Sequence, residues 1–266
     1  MRFPIFRDQR PTMKDYDLLV WTPEMVKNFW DYEANFPKNF FTHSRRYEII
    51  RQIKHYLPPN CSVLDYGCGP GNLIGPLLDA GFNVAGLDTS SSARDLVSAK
   101  YGDHEHFLGA YDQNKVITTG LKFDAIIVAE VIEHLYDDQL NSLLETLGKL
   151  SNSGTHIVFT TPNEEDLAES YILCPVSGKL FHRWQHVRSW SETTIKSFLT
   201  ARQFGTTRTF TTDFDASLII RGKHNPLRAR WWKRLRKKMR YLTRPNRKRP
   251  HLVAVAQPNS PGIPAN

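Results

Sequence analysis

The stretch VLDYGCGPGNL, residues 63–73, decides how the chain is read. An apolar run ends in the carboxylate Asp65, and three glycines, Gly67, Gly69 and Gly71, then alternate with other residues before an apolar segment resumes. A strand that ends in a glycine-rich turn and opens a helix is a site for a nucleotide-like ligand. The glycines let the ligand touch backbone, and the helix start offers unpaired N–H groups. The dinucleotide fingerprint G-x-G-x-x-G is broken because Asn72 stands where its third glycine belongs, and no G-K-[ST] ending makes a Walker phosphate loop.

Outward from this turn, short apolar runs alternate with helical patterns. CSVLDY reads as a strand, NLIGPLLDA as a helix stopped by Gly81, FNVAGLD as a strand, and SSARDLVSAK as a helix opened by serine caps. The strand HFLGA, the β-branched run FDAIIVAE, the helix DDQLNSLLETLGKL and the strand THIVFTTPN follow. SETTIKSFLTARQF is a helix with a serine cap, and TTRTFTTDF and HLVAVAQ are the last strands. Such alternation predicts an α/β fold with a parallel sheet covered by helices on both faces.

The pattern Asp65-x-Gly67-x-Gly69-x-Gly71 resembles the S-adenosylmethionine motif of class I methyltransferases, and Asp88 in VAGLDTS falls where that family's ribose-binding carboxylate lies. FDAIIVAEVIEHL and VFTTPN are similar to its fourth and fifth strands, so the resemblance covers roughly residues 45–220 and 250–257. It implies a Rossmann-like fold with a mostly parallel seven-stranded sheet, S-adenosylmethionine as cofactor, and methyl transfer to an acceptor. Gly67, Cys68, Gly69 and Gly71 would lie against the methionine part, Asp65 would reach its amino group, and Asp88 and Thr89 would hold the ribose. Where many relatives carry an acidic adenine contact the chain reads FLGAYDQ, and Ala110 or Tyr111 would supply backbone or a ring face instead. Glu130 completes the expected cofactor set.

Methyl transfer needs an aligned acceptor and, for a hydroxyl, a base. His134 is the candidate, with Glu133 and Glu130 beside it to orient it or raise its pKa. EVIEH also resembles a metal-binding segment of small-RNA 2′-O-methyltransferases and the Glu-Glu-His cluster of ubiquinone-pathway O-methyltransferases. By that resemblance Glu130, Glu133, His134 and His186 would hold a divalent ion. A stretch shared with bacterial small-molecule and glycan methyltransferases that need no metal, HVRSWS, argues the other way, and no metal is expected. CPVSGKLFHRWQH lacks the second cysteine of a zinc knuckle, leaving Cys174, His182 and His186 as an incomplete set. It reads as an ordered loop over the acceptor pocket, with Phe181, Arg183, Trp184 and His186 as acceptor contacts and Arg188 able to pair with an acidic acceptor.

The chain has 266 residues and a formal net charge of +8, but 14 of its 35 Lys and Arg lie in residues 221–249, which hold no acid. The basicity is therefore local. Within that segment Trp231, Leu235, Met239 and Leu242 recur at helical spacing. A basic amphipathic insertion, centred on residues 226–242, fits an anionic membrane surface, with nucleic acid as the weaker alternative. Residues 1–58, rich in aromatics including Trp21, Phe29, Trp30, Tyr32, Phe36, Phe40 and Phe41, are expected to form a helical cap or lid. Residues 59–257 are the expected methyltransferase domain, and 258–266 a disordered tail. Three cysteines, no signal-like start and no span of about 18 apolar residues lead to the expectation of a cytoplasmic protein, peripheral at most on the inner face of the membrane. The functional expectation is methylation of a hydroxyl on a small molecule, glycan or lipid-linked intermediate. The alternatives are a metal-assisted RNA 2′-O-methyltransferase and a non-catalytic cofactor-binding scaffold at a membrane.

Overall fold

A computed structural model describes residues 15–214 and 249–259 of the chain. The basic insertion, apart from Arg249, and the tail from residue 260 lie outside the described residues, as do the first 14 positions.

Strand β1 (Ser62–Tyr66) leads through the glycine turn to α3 (Ile74–Asp79), then β2 (Asn83–Leu87), α4 (Ser91–Tyr101) and β3 (Phe107–Tyr111). β4 (Phe123–Ala129), α6 (Asp137–Leu150) and β5 (Ser151–Pro162) continue the alternation. After α7 (Glu192–Thr200) come β8 (Phe204–Thr212) and β9 (His251–Pro258). The seven strands stand in the order β3-β2-β1-β4-β5-β9-β8, with only β9 antiparallel to its neighbours.

Period-two patterning buries both faces of the sheet. On β9, Leu252, Ala254 and Ala256 join one core cluster, beneath α6 and α7, while Val253 and Val255 join the other, beneath α3 and the helix α2 (Phe41–Ile53). On β4, Ile126 and Val128 face the first cluster and Ala125, Ile127 and Ala129 the second. A register shift between Phe123 and Ala125 puts Phe123 in the first cluster too. Ser90 caps α4 by accepting from the Ala93 amide at 3.2 Å, and Ser191 caps α7 by accepting from Thr194 at 3.2 Å.

Two elements go beyond the sequence expectation. Asp112 accepts from the Lys115 amide at 2.9 Å and caps a short helix, α5 (Gln113–Thr118). The stretch expected to be a loop contains an antiparallel hairpin, β6 (Tyr171–Leu173) and β7 (Leu180–His182), to which Leu18 adds a parallel bridge. Its backbone groups pair with one another and with residues 17–19, so a segment without apolar periodicity still satisfies its donors and acceptors.

α1 (Pro23–Glu33), capped by Thr22, buries none of its residues fully. α2 is anchored differently, through Ile49, Ile50 and Ile53 in the core.

Leu147 on α6 is fully buried, whereas Glu145 on the same helix is exposed. Leu147→Ala is expected to destabilise the fold by about 2–5 kcal/mol and Glu145→Ala by no more than about 0.5 kcal/mol, read from urea denaturation midpoints.

Candidate active site

The parallel strands end at one edge, and there a cavity of about 590 Å³ opens between the glycine turn, the β4 terminus, α1, the start of α2 and the segment after β7. That volume falls among those of ligand pockets, roughly 300–1,000 Å³.

One wall is the glycine turn. Gly67 and Gly71 have φ of +76° and +77°, in the left-handed region that favours glycine. A Cβ on Gly71 would lie 2.9 Å from Val97 of α4, and one on Gly67 would lie 2.5 Å from Val131. The Gly67 and Cys68 amides both donate to the Leu87 carbonyl, at 2.7 and 3.0 Å, tying the turn to the end of β2. Asp88 follows immediately. Its carboxylate accepts from the Gly69 amide and from the Ser90 amide, each at 2.8 Å, and Arg94 donates to the Asp88 and Thr89 carbonyls.

Asp65 is 2 % exposed, and its Oδ2 has no hydrogen-bond partner. Burial, with the nearby Asp88 charge, pushes its carboxyl up to about 7. Burial also raises Asp88, against the two amide bonds that favour its charge.

The adjoining wall, after β4, is richer in titratable groups. Glu130, at the end of β4 with φ +55°, accepts from Thr160 Oγ1 at 2.8 Å. Glu133 is 1 % exposed; its Oε2 accepts from Thr161 Oγ1 at 3.0 Å, while Oε1 has no hydrogen bond and lies 3.9 Å from His134 Nε2. Burial and then Glu130 raise the Glu133 carboxyl well above the usual range. His134 Nδ1 lies 3.4 Å from the Gln185 carbonyl. The expectation that its acidic neighbours raise the His134 pKa is corrected. Burial, followed by His186, lowers it to about 3, outweighing the Gln185 carbonyl and the Glu165 charge that favour the imidazolium.

Glu133, His134 and His186 offer one ligand atom each within 4.8 Å of one another. An imidazole pair with a carboxylate suits a first-row divalent ion, and the unpartnered Glu133 Oε1 is the kind of atom such an ion would satisfy. The residues present therefore fit a metal.

Asp65, Gly67, Cys68, Gly69, Asp88, Thr89, Glu130, Glu133, His134, Trp184 and His186 all line the cavity. Gly71 supports the turn from behind, against α4. Four expectations differ. The Tyr111 hydroxyl donates back to the Leu108 carbonyl at 2.5 Å, which holds the ring over Gly109 and away from the cavity lining. Arg183 is exposed and packs over Trp184 at 5.4 Å, and Phe181 packs against Trp21 at 5.7 Å; neither lines the cavity. Arg188 pairs with Asp137 at 2.9 Å on the surface.

The cavity also holds residues the sequence reading did not single out for it. Trp30 of α1 donates from Nε1 to Gln185 Oε1 at 2.9 Å, and the fully buried Gln185 donates from Nε2 to the His134 carbonyl at 3.0 Å. His251 stacks on Phe41 with centroids 4.2 Å apart. Its position was recoverable: the first residue of an antiparallel strand lies at the edge where the parallel strands end. Gln113, at the start of α5, also lines the cavity and donates to Ser142 at 3.0 Å.

Fold and site together define a class of protein: a Rossmann-like sheet with a glycine turn and an acidic residue closing the next strand. Comparison with known proteins narrows this. The methyltransferase-domain family matches residues 41–208. The chain belongs to that family, the class I S-adenosylmethionine-dependent methyltransferases. Over 155 residues it is 27% identical to the ubiquinone biosynthesis O-methyltransferase of Hydrogenovibrio crunogenus, covering 56% of this chain and 61% of that protein. The chain thus matches about three-fifths of that relative's length. Among solved structures, the 1,6-didemethyltoxoflavin-N1-methyltransferase of Burkholderia thailandensis superposes with TM-score 0.57 at 13% identity, over 92% of this chain and 93% of that one. An S-adenosylmethionine-dependent methyltransferase from Clostridium acetobutylicum gives TM-score 0.55 at 13% identity, over 88% and 99%. No helix among the described residues is long and apolar enough to cross a membrane.

Asp65 generates a pH prediction. Its folded pKa lies above the unfolded value of about 3.9, so the folded state holds a proton the unfolded state releases. That contribution to stability is complete below about pH 4 and is lost as pH rises through about 7. Asp65→Asn is expected to raise the melting temperature of the ligand-free protein at pH 8 and to leave it nearly unchanged at pH 4. Equal melting shifts at both pH values would contradict the assignment.

Proposed function

We propose that the chain transfers the methyl group of S-adenosylmethionine to a hydroxyl of a small molecule, glycan or lipid-linked intermediate. The observation that carries the reading is the bond from the Gly69 amide to Asp88 at 2.8 Å beside the unpartnered Asp65 Oδ2. A carboxylate held at the rim by backbone amides suits a vicinal diol. The partnerless buried carboxyl of Asp65 suits a cationic amino group, whose arrival would favour its ionised form. In this reading Gly67, Cys68, Gly69, Asp88, Thr89 and Glu130 bind the cofactor, with Gly71 supporting the turn.

The cofactor supplies an activated methyl group, and the protein aligns the acceptor and takes its proton. His134 and Glu133 are the residues proposed for that proton. A neutral His134 whose Nδ1 faces the Gln185 carbonyl keeps Nε2 available as an acceptor. Glu133 Oε1 lies 3.9 Å from Nε2 and would balance an imidazolium once its carboxyl is ionised. Trp184 and His186 are the proposed acceptor contacts. α1 and the start of α2, held over the cavity by Trp30 and Gln185, would exclude water from the reacting atoms.

A second reading is favoured by the convergence of Glu133, His134 and His186 within 4.8 Å. A divalent ion held there would lower the pKa of a bound hydroxyl, as needed for metal-assisted methylation of a ribose or other diol.

Titration calorimetry with S-adenosylmethionine and S-adenosylhomocysteine tests both. Micromolar binding, about −8 kcal/mol, is expected without metal. Asp88→Ala is expected to weaken it at least about 100-fold, roughly 2.7 kcal/mol, with an unchanged circular dichroism spectrum. Undiminished affinity in Asp88→Ala would overturn the cofactor site. A heat with Mn²⁺ or Mg²⁺ that disappears in Glu133→Ala would favour the second reading.

A further inference from the structure

His186 does not stand alone in the cavity wall. Its Nδ1 lies 2.5 Å from Glu165 Oε2, and the other oxygen of the same carboxylate lies 3.4 Å from His182 Nε2. The two imidazoles stack, with centroids 4.3 Å apart and planes 15° apart. His182 ends β7, and the turn that follows, with Gln185 at φ +60°, returns His186 over it.

Glu165, His182 and His186 present three ligand atoms within 4.8 Å, which on distance alone would suggest a second metal cluster. The hydrogen-bond pattern argues against that. His182 Nδ1 accepts from the Trp184 amide and from the His186 amide, each at 3.2 Å. A ring nitrogen that accepts two N–H groups carries no proton, so in the neutral ring the proton sits on Nε2, facing Glu165. Nε2 then has no lone pair for an ion. His186 Nδ1 hydrogen-bonds one Glu165 oxygen at 2.5 Å, while His182 Nε2 lies 3.4 Å from the other without a hydrogen bond.

We infer that Glu165 is a positioning residue: with His182 behind it, its carboxylate fixes His186 in the Nδ1–H form and leaves the Nε2 lone pair of a cavity-lining ring free to accept a proton or ligate an ion. Such carboxylate–histidine pairs set the tautomer, ring orientation and basicity of a working imidazole. The bond is direct and short enough to be charge-assisted. The chain of contacts runs from two backbone amides through His182 and Glu165 to His186. The hairpin that ends in β7 thereby sets the chemistry of a ring in the cavity. The inference rests on the proposed reading of this cavity as the catalytic one.

The test is long-range ¹H–¹⁵N correlation of the imidazole nitrogens in the uniformly labelled, ligand-free full chain near pH 7.5. His186 is assigned by the signal lost in His186→Gln. The expected spectrum shows a His186 ring protonated at Nδ1 alone. In Glu165→Gln one amide face turns a donor toward the histidines, and the His186 pattern is expected to shift toward Nε2–H or a mixture, with His104 and His106 unchanged. A wild-type His186 protonated at Nε2, or at both nitrogens, overturns the inference. So does an unchanged His186 pattern in Glu165→Gln. If that variant does not fold, the wild-type spectrum still decides. Calorimetry with S-adenosylmethionine on the same sample separates the two readings: an Nδ1–H ring in a protein that binds no S-adenosylmethionine would sink the methyl-transfer proposal and not the tautomer.

Discussion

The Leu87 carbonyl, at the end of β2, accepts from two successive amides of the glycine turn, Gly67 and Cys68. That pair of bonds joins the ends of adjacent parallel strands and sets the position of everything at the cavity's cofactor side. The turn must then fold back on itself within a few residues, which demands left-handed backbone at Gly67 and Gly71 and close approach to Val131 and Val97. Asp88, the next residue after Leu87, is thereby within reach of the Gly69 amide, and the two loops brace each other through backbone donors rather than through long side chains. Rigidity of this kind preorganises a site, because little side-chain freedom remains to be lost when a ligand arrives.

The cost of the arrangement falls on buried polar atoms. Asp65 Oδ2 and Glu133 Oε1 are both sealed from solvent with no hydrogen bond, and both residues line the same cavity. Buried groups in folded proteins nearly always find partners, so two orphaned carboxyl oxygens facing one cavity point to groups that ligands would complete. Their environments differ usefully. Asp65 is buried beside the Asp88 charge, which suits a cation from the ligand; Glu133 has two histidines, which suits a shared proton or ion.

Much of the fold was legible in the sequence, because the inner parallel strands are buried on both faces and announce themselves as apolar runs, as in FDAIIVAE. The glycine turn was legible for a related reason: only glycine serves where backbone turns left-handed against a neighbouring helix. The β6–β7 hairpin was not, since Tyr171–Leu173 and Leu180–His182 are three residues each and too short for periodicity to register. Tyr111 was misplaced because strand position says where a Cα lies but not which way a ring folds, and a hydrogen bond to Leu108 turned it back. Gln185 was invisible for a different reason. Its function as a bridge depends on Trp30, 155 residues away, and no local pattern encodes that contact.

That bridge links the α1 side of the cavity to its chemistry. α1 buries no residue fully; Phe29 and Trp30 make ring contacts with Trp21, Phe40 and His134, and two directed bonds add to its hold on the domain. One is Trp30 to Gln185; another is Asp31, which accepts from the Ser90 hydroxyl at 2.6 Å, beside Asp88. The first touches the residue whose backbone carbonyl faces His134, and the second touches the cap of the helix that follows the proposed ribose carboxylate. A helix held by part-exposed ring contacts and a few polar bonds opens at lower cost than one with a fully buried apolar face. Both bonds end on segments that shape the proposed cofactor and acceptor ends of the cavity. Movement of α1 would therefore act on both ends at once, which is how a cap can make water exclusion and alignment of the acceptor a single event.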